Sequence, residues 1–206
     1  MTKHKINDII NISNKESEEI NMAISLAKNK GINLQKGLDK VRFTLRWDSN
    51  VDVDIQALVL KDGQSSSDED LIFYNQLNHP TGAVKHSGDV RDGSKVTDGD
   101  DEYIDVTLSL LYPQKNQILF SASIDNAVAK GIDFGSIGKV TCELINASNN
   151  EVLATYQVDK DLDMETCGVL CELKKDDNGT WNFNAVGQAY LDLESMLVAH
   201  GFDVVG

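Results

Sequence analysis

The sequence predicts a mainly β protein, a β-sandwich of two packed sheets with a C-terminal helix. Three observations lead there. Eight or nine short runs alternate apolar and polar residues with period two, the mark of half-buried strands. Turn signals separate many of them, and only one segment near the end reads clearly as helix. The chain has 206 residues, 41% hydrophobic and 25% charged, enough for one sizeable core and too apolar for disorder.

Taken in order, residues 1–22 read as an N-terminal extension and 23–206 as the folded domain. Ile6, Ile9, Ile10 and Ile20 suggest short helical pieces within the extension, interrupted by the polar Asn11–Glu19 stretch. Arg42–Trp47 alternates, with Phe43, Leu45 and Trp47 on one face. Val51–Ala57 alternates more cleanly: Val51, Val53, Ile55 and Ala57 point one way, and Asp52, Asp54 and Gln56 the other. Further strands are expected at Leu71–Tyr74, Tyr103–Leu108, Gln117–Ile124, Lys139–Leu144, Val152–Val158, Gly168–Lys174 and Trp181–Val186. Asp62-Gly63, Asn149-Asn150 and Asp177-Asn178-Gly179 supply turns. A helix is expected over roughly Ala189–His200, capped by Gly201, with Leu193, Met196 and Leu197 on its packed face.

Acids outnumber bases 33 to 19, a formal charge of −14. Such a field disfavours general nucleic-acid binding and docking on an anionic membrane. No apolar run approaches the ~20 residues needed to span a bilayer, and the first residues lack a signal-peptide pattern, so a cytoplasmic protein is expected. The charge is uneven: residues 1–47 carry +4, 48–105 carry −10 and 106–206 carry −8. Crowded carboxylates repel unless something neutralises them. Lys61, Lys85, Arg91 and Lys95 are the only bases in that middle segment, which points to a divalent cation.

Three cysteines fit a reducing compartment. Cys167 and Cys171 on one strand would stand about 13 Å apart at ~3.3 Å per residue, beyond disulfide reach, with Val169, Cys171 and Leu173 on one face. All three read as small buried hydrophobes. Trp47 and Trp181 read as core anchors, Gly187-Gln188 as a turn with an amide cap, and Asp161, Asp163 and Glu165 as a solvated turn.

The informative segment is the long loop 78–102. It ends in Asp98-Gly99-Asp100-Asp101-Glu102, four carboxylates in five residues with a glycine to bend the chain. Calcium takes six to eight oxygens from such groups. Alone, the run also fits a solvated acidic loop. Asp52 and Asp54 add weight: two strand steps of ~3.3 Å put them about 7 Å apart on one face, where a cation would relieve their repulsion. No stretch has the EF-hand pattern, so the site is expected to join a rigid strand to an adaptable loop.

The residues Trp47-Asp48 and Val51-Asp-Val-Asp-Ile-Gln-Ala57 resemble the TerD family of tellurium-resistance and calcium-binding stress proteins. The likeness continues through Asp70-Leu-Ile-Phe-Tyr-Asn75, Pro80–Asp89, Asp98–Glu102, Ile124–Gly135 and Asn184–Tyr190, collinear from about Ile24 to the C-terminus. It implies a calcium-binding β-sandwich that is not an enzyme, associated with stress and tellurite resistance. Carried over by position, Asp52, Asp54, Asp89, Asp98, Asp100, Asp101 and Glu102 match the family's acidic calcium motifs, and Asn75 and Asp125 match positions beside them. Val90 replaces the Asn of the family's Gly-Asp-Asn, and Ser123 stands where the family has His. Implied partners are other tellurium-resistance-type proteins, including a membrane-associated complex, with no nucleic acid and no direct membrane insertion.

Two other classes of function compete with the calcium-binding module. A structural or assembly subunit would dock partners through residues 1–22. A metal-dependent hydrolase would use the acids to hold a catalytic metal. Catalysis would need a positioned base, and His86, the histidine nearest the acidic run, reads as a structural hydrogen-bonder. No P-loop, GxGxxG or Ser/His/Asp arrangement appears.

Overall fold

The computed structural model describes residues 23–90 and 102–204, and the expected extension lies outside them. Twelve strands form two six-stranded sheets. In chain order they are β1 Ile24–Leu26, β2 Gly31–Asn33, β3 Lys40–Arg46, β4 Val53–Leu60, β5 Leu71–Ile72 and β6 Val84–His86. Then follow β7 Glu102–Thr107, β8 Gln117–Ile124, a short helix α1 Ala127–Lys130, β9 Thr141–Asn146, β10 Glu151–Gln157, β11 Cys167–Lys175, β12 Trp181–Ala189 and helix α2 Leu193–Ala199. The first sheet runs β1-β10-β9-β3-β7-β6 and the second β2-β12-β11-β8-β4-β5. All four edge strands are two or three residues long, which leaves little free ladder for another chain to pair with.

The two inner faces meet in one core. Phe43 of β3 stacks on Phe120 of β8, centroids 4.3 Å apart, and joins the sheets at the centre. Val53, Ile55, Ala57 and Val59 all point into this core, as the alternation in β4 predicts. The other face of β4 divides. Leu58 and Leu60 pack with Leu119, Cys167, Val169, Met196, Leu197 and Phe202 beneath α2. Asp54 and Gln56 remain polar, and Gln56 bonds Ser121 (2.9 Å) and Ser123 (3.1 Å) on β8. α2 therefore covers only one end of this outer face. Among the described residues no helix is long and apolar enough to cross a membrane.

Four expectations need correction. The register of β11 slips between Val169 and Cys171 against both neighbours. That bulge sends Val169 outward while Cys171 and Leu173 stay in the core, so the three do not share a face. Gly187 lies within β12 at this irregularity with φ +59°, not in a turn before the helix. β12 runs on to Ala189, so α2 starts only at Leu193, where Asp192 caps it by accepting from Ser195 N–H at 2.7 Å. The acidic run near 161–165 is also partly employed: Asp161 accepts from the Tyr156 hydroxyl at 2.8 Å. Trp47 is buried as expected, and Trp181 packs partly buried against the core.

A second fixed point is a buried ion pair. Lys115 Nζ donates to Asp70 (2.6 Å), Ser66 (2.9 Å) and the Val59 carbonyl (3.1 Å). His79 Nε2 stands 3.6 Å from the other Asp70 oxygen, and all three residues are buried. Burial alone would raise the Asp70 pKa, but Lys115 and the Ser66 N–H hold it below the ordinary value. For His79 burial wins over Asp70 and lowers its pKa, and Nδ1 accepts the Thr81 N–H at 3.3 Å.

Removing one partner of a buried pair strands the other charge. Lys115→Met should lower unfolding stability by about 3–5 kcal/mol in urea titrations. The lowered His79 pKa means that the unfolded chain takes up this proton first on acidification. The contribution of His79 is therefore present above about pH 6.5 and lost as pH falls through its native value. His79→Gln should flatten the stability profile between about pH 7 and 5 relative to the unsubstituted chain.

Candidate metal centre

The site grows from a gap in the second sheet. β5 pairs with β4 only at Ala57 and Leu58, so the first half of β4 has no described strand on that side. A buried backbone N–H or C=O without a partner costs roughly 1–3 kcal/mol. At Ile55 both are taken by side chains instead. Glu102, at the start of β7, accepts the Ile55 N–H at 3.0 Å. His86, at the end of β6, meets the Ile55 carbonyl through Nε2 at 3.1 Å. Two residues of the first sheet thus occupy the open edge of the second.

The same two side chains hold the following loop. His86 Nδ1 accepts the Gly88 N–H at 2.9 Å, and the other Glu102 oxygen accepts the Val90 N–H at 2.9 Å. Nδ1 as acceptor leaves the proton on Nε2, which then donates to the Ile55 carbonyl. Gly88 supplies a φ of +106°, a conformation that a side chain would strain. Asp89 lies between these two anchored amides.

Asp89 is carried to the carboxylates that precede and begin β4. One oxygen each of Asp52, Asp54 and Asp89 lies within 4.8 Å of the other two. Two oxygens on one ion at ~2.4 Å can be no more than ~4.8 Å apart, so this spacing fits a shared calcium. Asp52 and Asp54 are half-buried and Asp89 is exposed, which leaves one side open for further ligands. The backbone of Asp52 is itself tied down, its carbonyl accepting the Asp125 N–H at 3.0 Å.

Among the described residues, burial and neighbouring acids dominate the electrostatics of the Glu102 carboxyl. Burial pushes the Glu102 carboxyl up to about 8, opposed by the N–H groups of Val90 and Ile55, while Asp54 and Asp89 push it further up. The His86 pKa is lowered, chiefly by burial, so the ring is held neutral and adds no cation.

The structure brings together some of the expected ligands and not others. Asp52, Asp54 and Asp89 converge. Glu102 adjoins them, with both oxygens engaged by backbone amides. Asp125 flanks the site through its backbone, while its carboxylate meets Asn126 at 2.6 Å and Lys130 at 3.4 Å. Asn75 sits exposed in the tight turn between Phe73 and Gln76. Asp98, Asp100 and Asp101 lie outside the described residues. The first part of the expected long loop is ordered: His79–Gly82 turns the chain and β6 follows. The bracketing roles of Glu102 and His86 escape the sequence, because their partner lies 47 and 31 residues away.

A two-sheet sandwich with a carboxylate cluster at a side-chain-bridged sheet edge defines the class of protein. The comparisons then specify it: the TerD domain model matches residues 22–199, and the chain belongs to the TerD domain family. It is 37% identical over 180 residues to General stress protein 16U of Bacillus subtilis (strain 168), covering 82% of this chain and 92% of that protein. It is 33% identical over 193 residues to Tellurium resistance protein TerD of Serratia marcescens, covering 88% and 99%. The solved structure of a homologue of telluride resistance protein (TerD) from Streptomyces coelicolor A3(2) superposes with a TM-score of 0.62. It is 20% identical and covers 80% of this chain and 96% of that one.

Above about pH 8, where Glu102 is ionised, Glu102→Gln replaces one acceptor by a donor facing a backbone N–H. It should destabilise the chain by about 1–3 kcal/mol, and hydrogen exchange at the Ile55 or Val90 amide should quicken.

Proposed function

We propose that this chain is a calcium-binding stress-response protein, associated with tellurite resistance, that acts as a non-enzymatic binding module. One observation carries the reading: one carboxylate oxygen from each of three aspartates, two at the start of a strand and one on a separate loop, converge within 4.8 Å of one another. Asp52, Asp54 and Asp89 would hold the ion, and water or further oxygens would complete its shell at the open side. The ion would offset the mutual repulsion of these acids and tie the Gly88–Val90 loop to β4.

Support for a binding role over catalysis comes from His86. Its ring nitrogens both engage backbone groups and the residue is buried, which leaves no free nitrogen for general-base work. The family relatives named for general stress and tellurium resistance support the physiological setting. The charge of −14 supports protein partners over nucleic acid, and we place the chain in the bacterial cytoplasm with other tellurium-resistance-type proteins.

A thermal melt in chelator, then in rising calcium or magnesium, tests this. Calcium at 100 times Kd should stabilise by ~2.7 kcal/mol. For a domain of this size that raises Tm by about 5–11 °C. Magnesium, which demands tight octahedral geometry, should do much less. Asp52→Asn and Asp89→Asn should each remove most of the calcium response. No shift and no binding heat with calcium would overturn the reading.

A further inference from the structure

We infer that the uncovered end of the second sheet's outer face is a docking groove for a partner segment that sets a basic side chain among apolar ones. The groove has a volume of about 590 Å³. Its floor is polar: Asp54 and Gln56 from β4 and Ser123 from β8. Its rim is apolar and unusually exposed. Tyr74 on one side is 43% exposed, Val128 on α1 is 92% and Leu191 before α2 is 85%.

An exposed valine and leucine facing one trough mark a contact surface more than scattered surface residues do. They stand too open to enclose a small ligand, which typically buries 70–90% of its own surface. The charge fixes the partner's chemistry. Asp54, Asp125 and Asp192 line the groove, and no basic side chain does so among the described residues. Lys130 reaches the Asp125 carboxylate at 3.4 Å and its carbonyl at 2.9 Å from outside the lining, so among the described residues three carboxylates stand against one lysine and the groove stays acidic. A lysine or arginine of the partner would meet the acidic floor while flanking apolar residues cover Val128, Leu191 and Tyr74. Two separate features thus ask for one amphipathic occupant. The inference goes beyond the calcium reading and does not depend on it.

The test is a selection of random twelve-residue peptides displayed on phage against the full chain, in chelator so that no cation takes part. Val128→Ser/Leu191→Ser serves as competitor. Both side chains are exposed, so this variant should melt with the parent. The expected result is enrichment of peptides with Lys or Arg within two positions of a large apolar residue. A synthetic winner should bind the double variant at least about tenfold more weakly, and raising NaCl from 50 to 500 mM should weaken it severalfold. Peptides lacking basic residues, peptides that bind the double variant equally, or no enrichment at all would each overturn the proposal. So would a homodimer in sedimentation equilibrium that the double variant disperses, since a second copy would then own the groove.

Discussion

The backbone of Ile55 is the constraint on which this structure turns. A β-sandwich leaves sheet edges, and this one leaves an edge open beside buried apolar residues. Pairing it with another strand would lengthen β5. The chain instead caps it with a carboxylate and an imidazole sent over from the other sheet. Both are chemically apt: a carboxylate accepts twice, and a neutral imidazole donates from one nitrogen while accepting at the other. Each therefore has a second bond to give, and both spend it on the loop that carries Asp89. The edge repair and the placement of the acidic site are one arrangement.

This has consequences for what a cation would find. Asp52 is fixed through its own carbonyl, Asp54 by the β4–β8 ladder, and Asp89 by its two neighbours' amides. The three carboxylates are held near one another by covalent neighbours and backbone bonds, not by any attraction among themselves. The scaffold that carries them is anchored elsewhere as well, including by the buried Lys115–Asp70 pair. Such preorganisation favours binding, because little ordering remains for the ion to impose.

Much of this was legible in the sequence because β4 announces itself. Val53, Ile55, Ala57 and Val59 against Asp52, Asp54 and Gln56 fix strand, inner face and acidic outer face together. The long strands β8, β11 and β12 were legible for the same reason. β1, β2 and β6 were not, since three residues cannot display a period. The slip at Val169–Cys171 was also hidden, because a bulge breaks the alternation that strand reading relies on. Glu102 illustrates a deeper limit. Its place at the end of an acidic run resembles a ligand motif, and nothing local says that its oxygens belong to Ile55 and Val90. Such a role exists only once two sheets have packed.

The acidic site and the groove are not electrically independent, because Asp54 belongs to both. Seen from the trio it is a prospective ligand; seen from the groove it is part of the floor. Unit charges ~8 Å apart interact by about 2 kcal/mol at an effective dielectric near 20, before salt screening. A divalent ion at the trio would thus weaken the field that a basic partner side chain feels, and the partner would weaken the ion's hold by an equal free energy. The apolar rim is indifferent to that charge. Occupancy of the groove would then respond to the ion in strength without losing its shape, which separates what recognises a partner from what adjusts how tightly it is held.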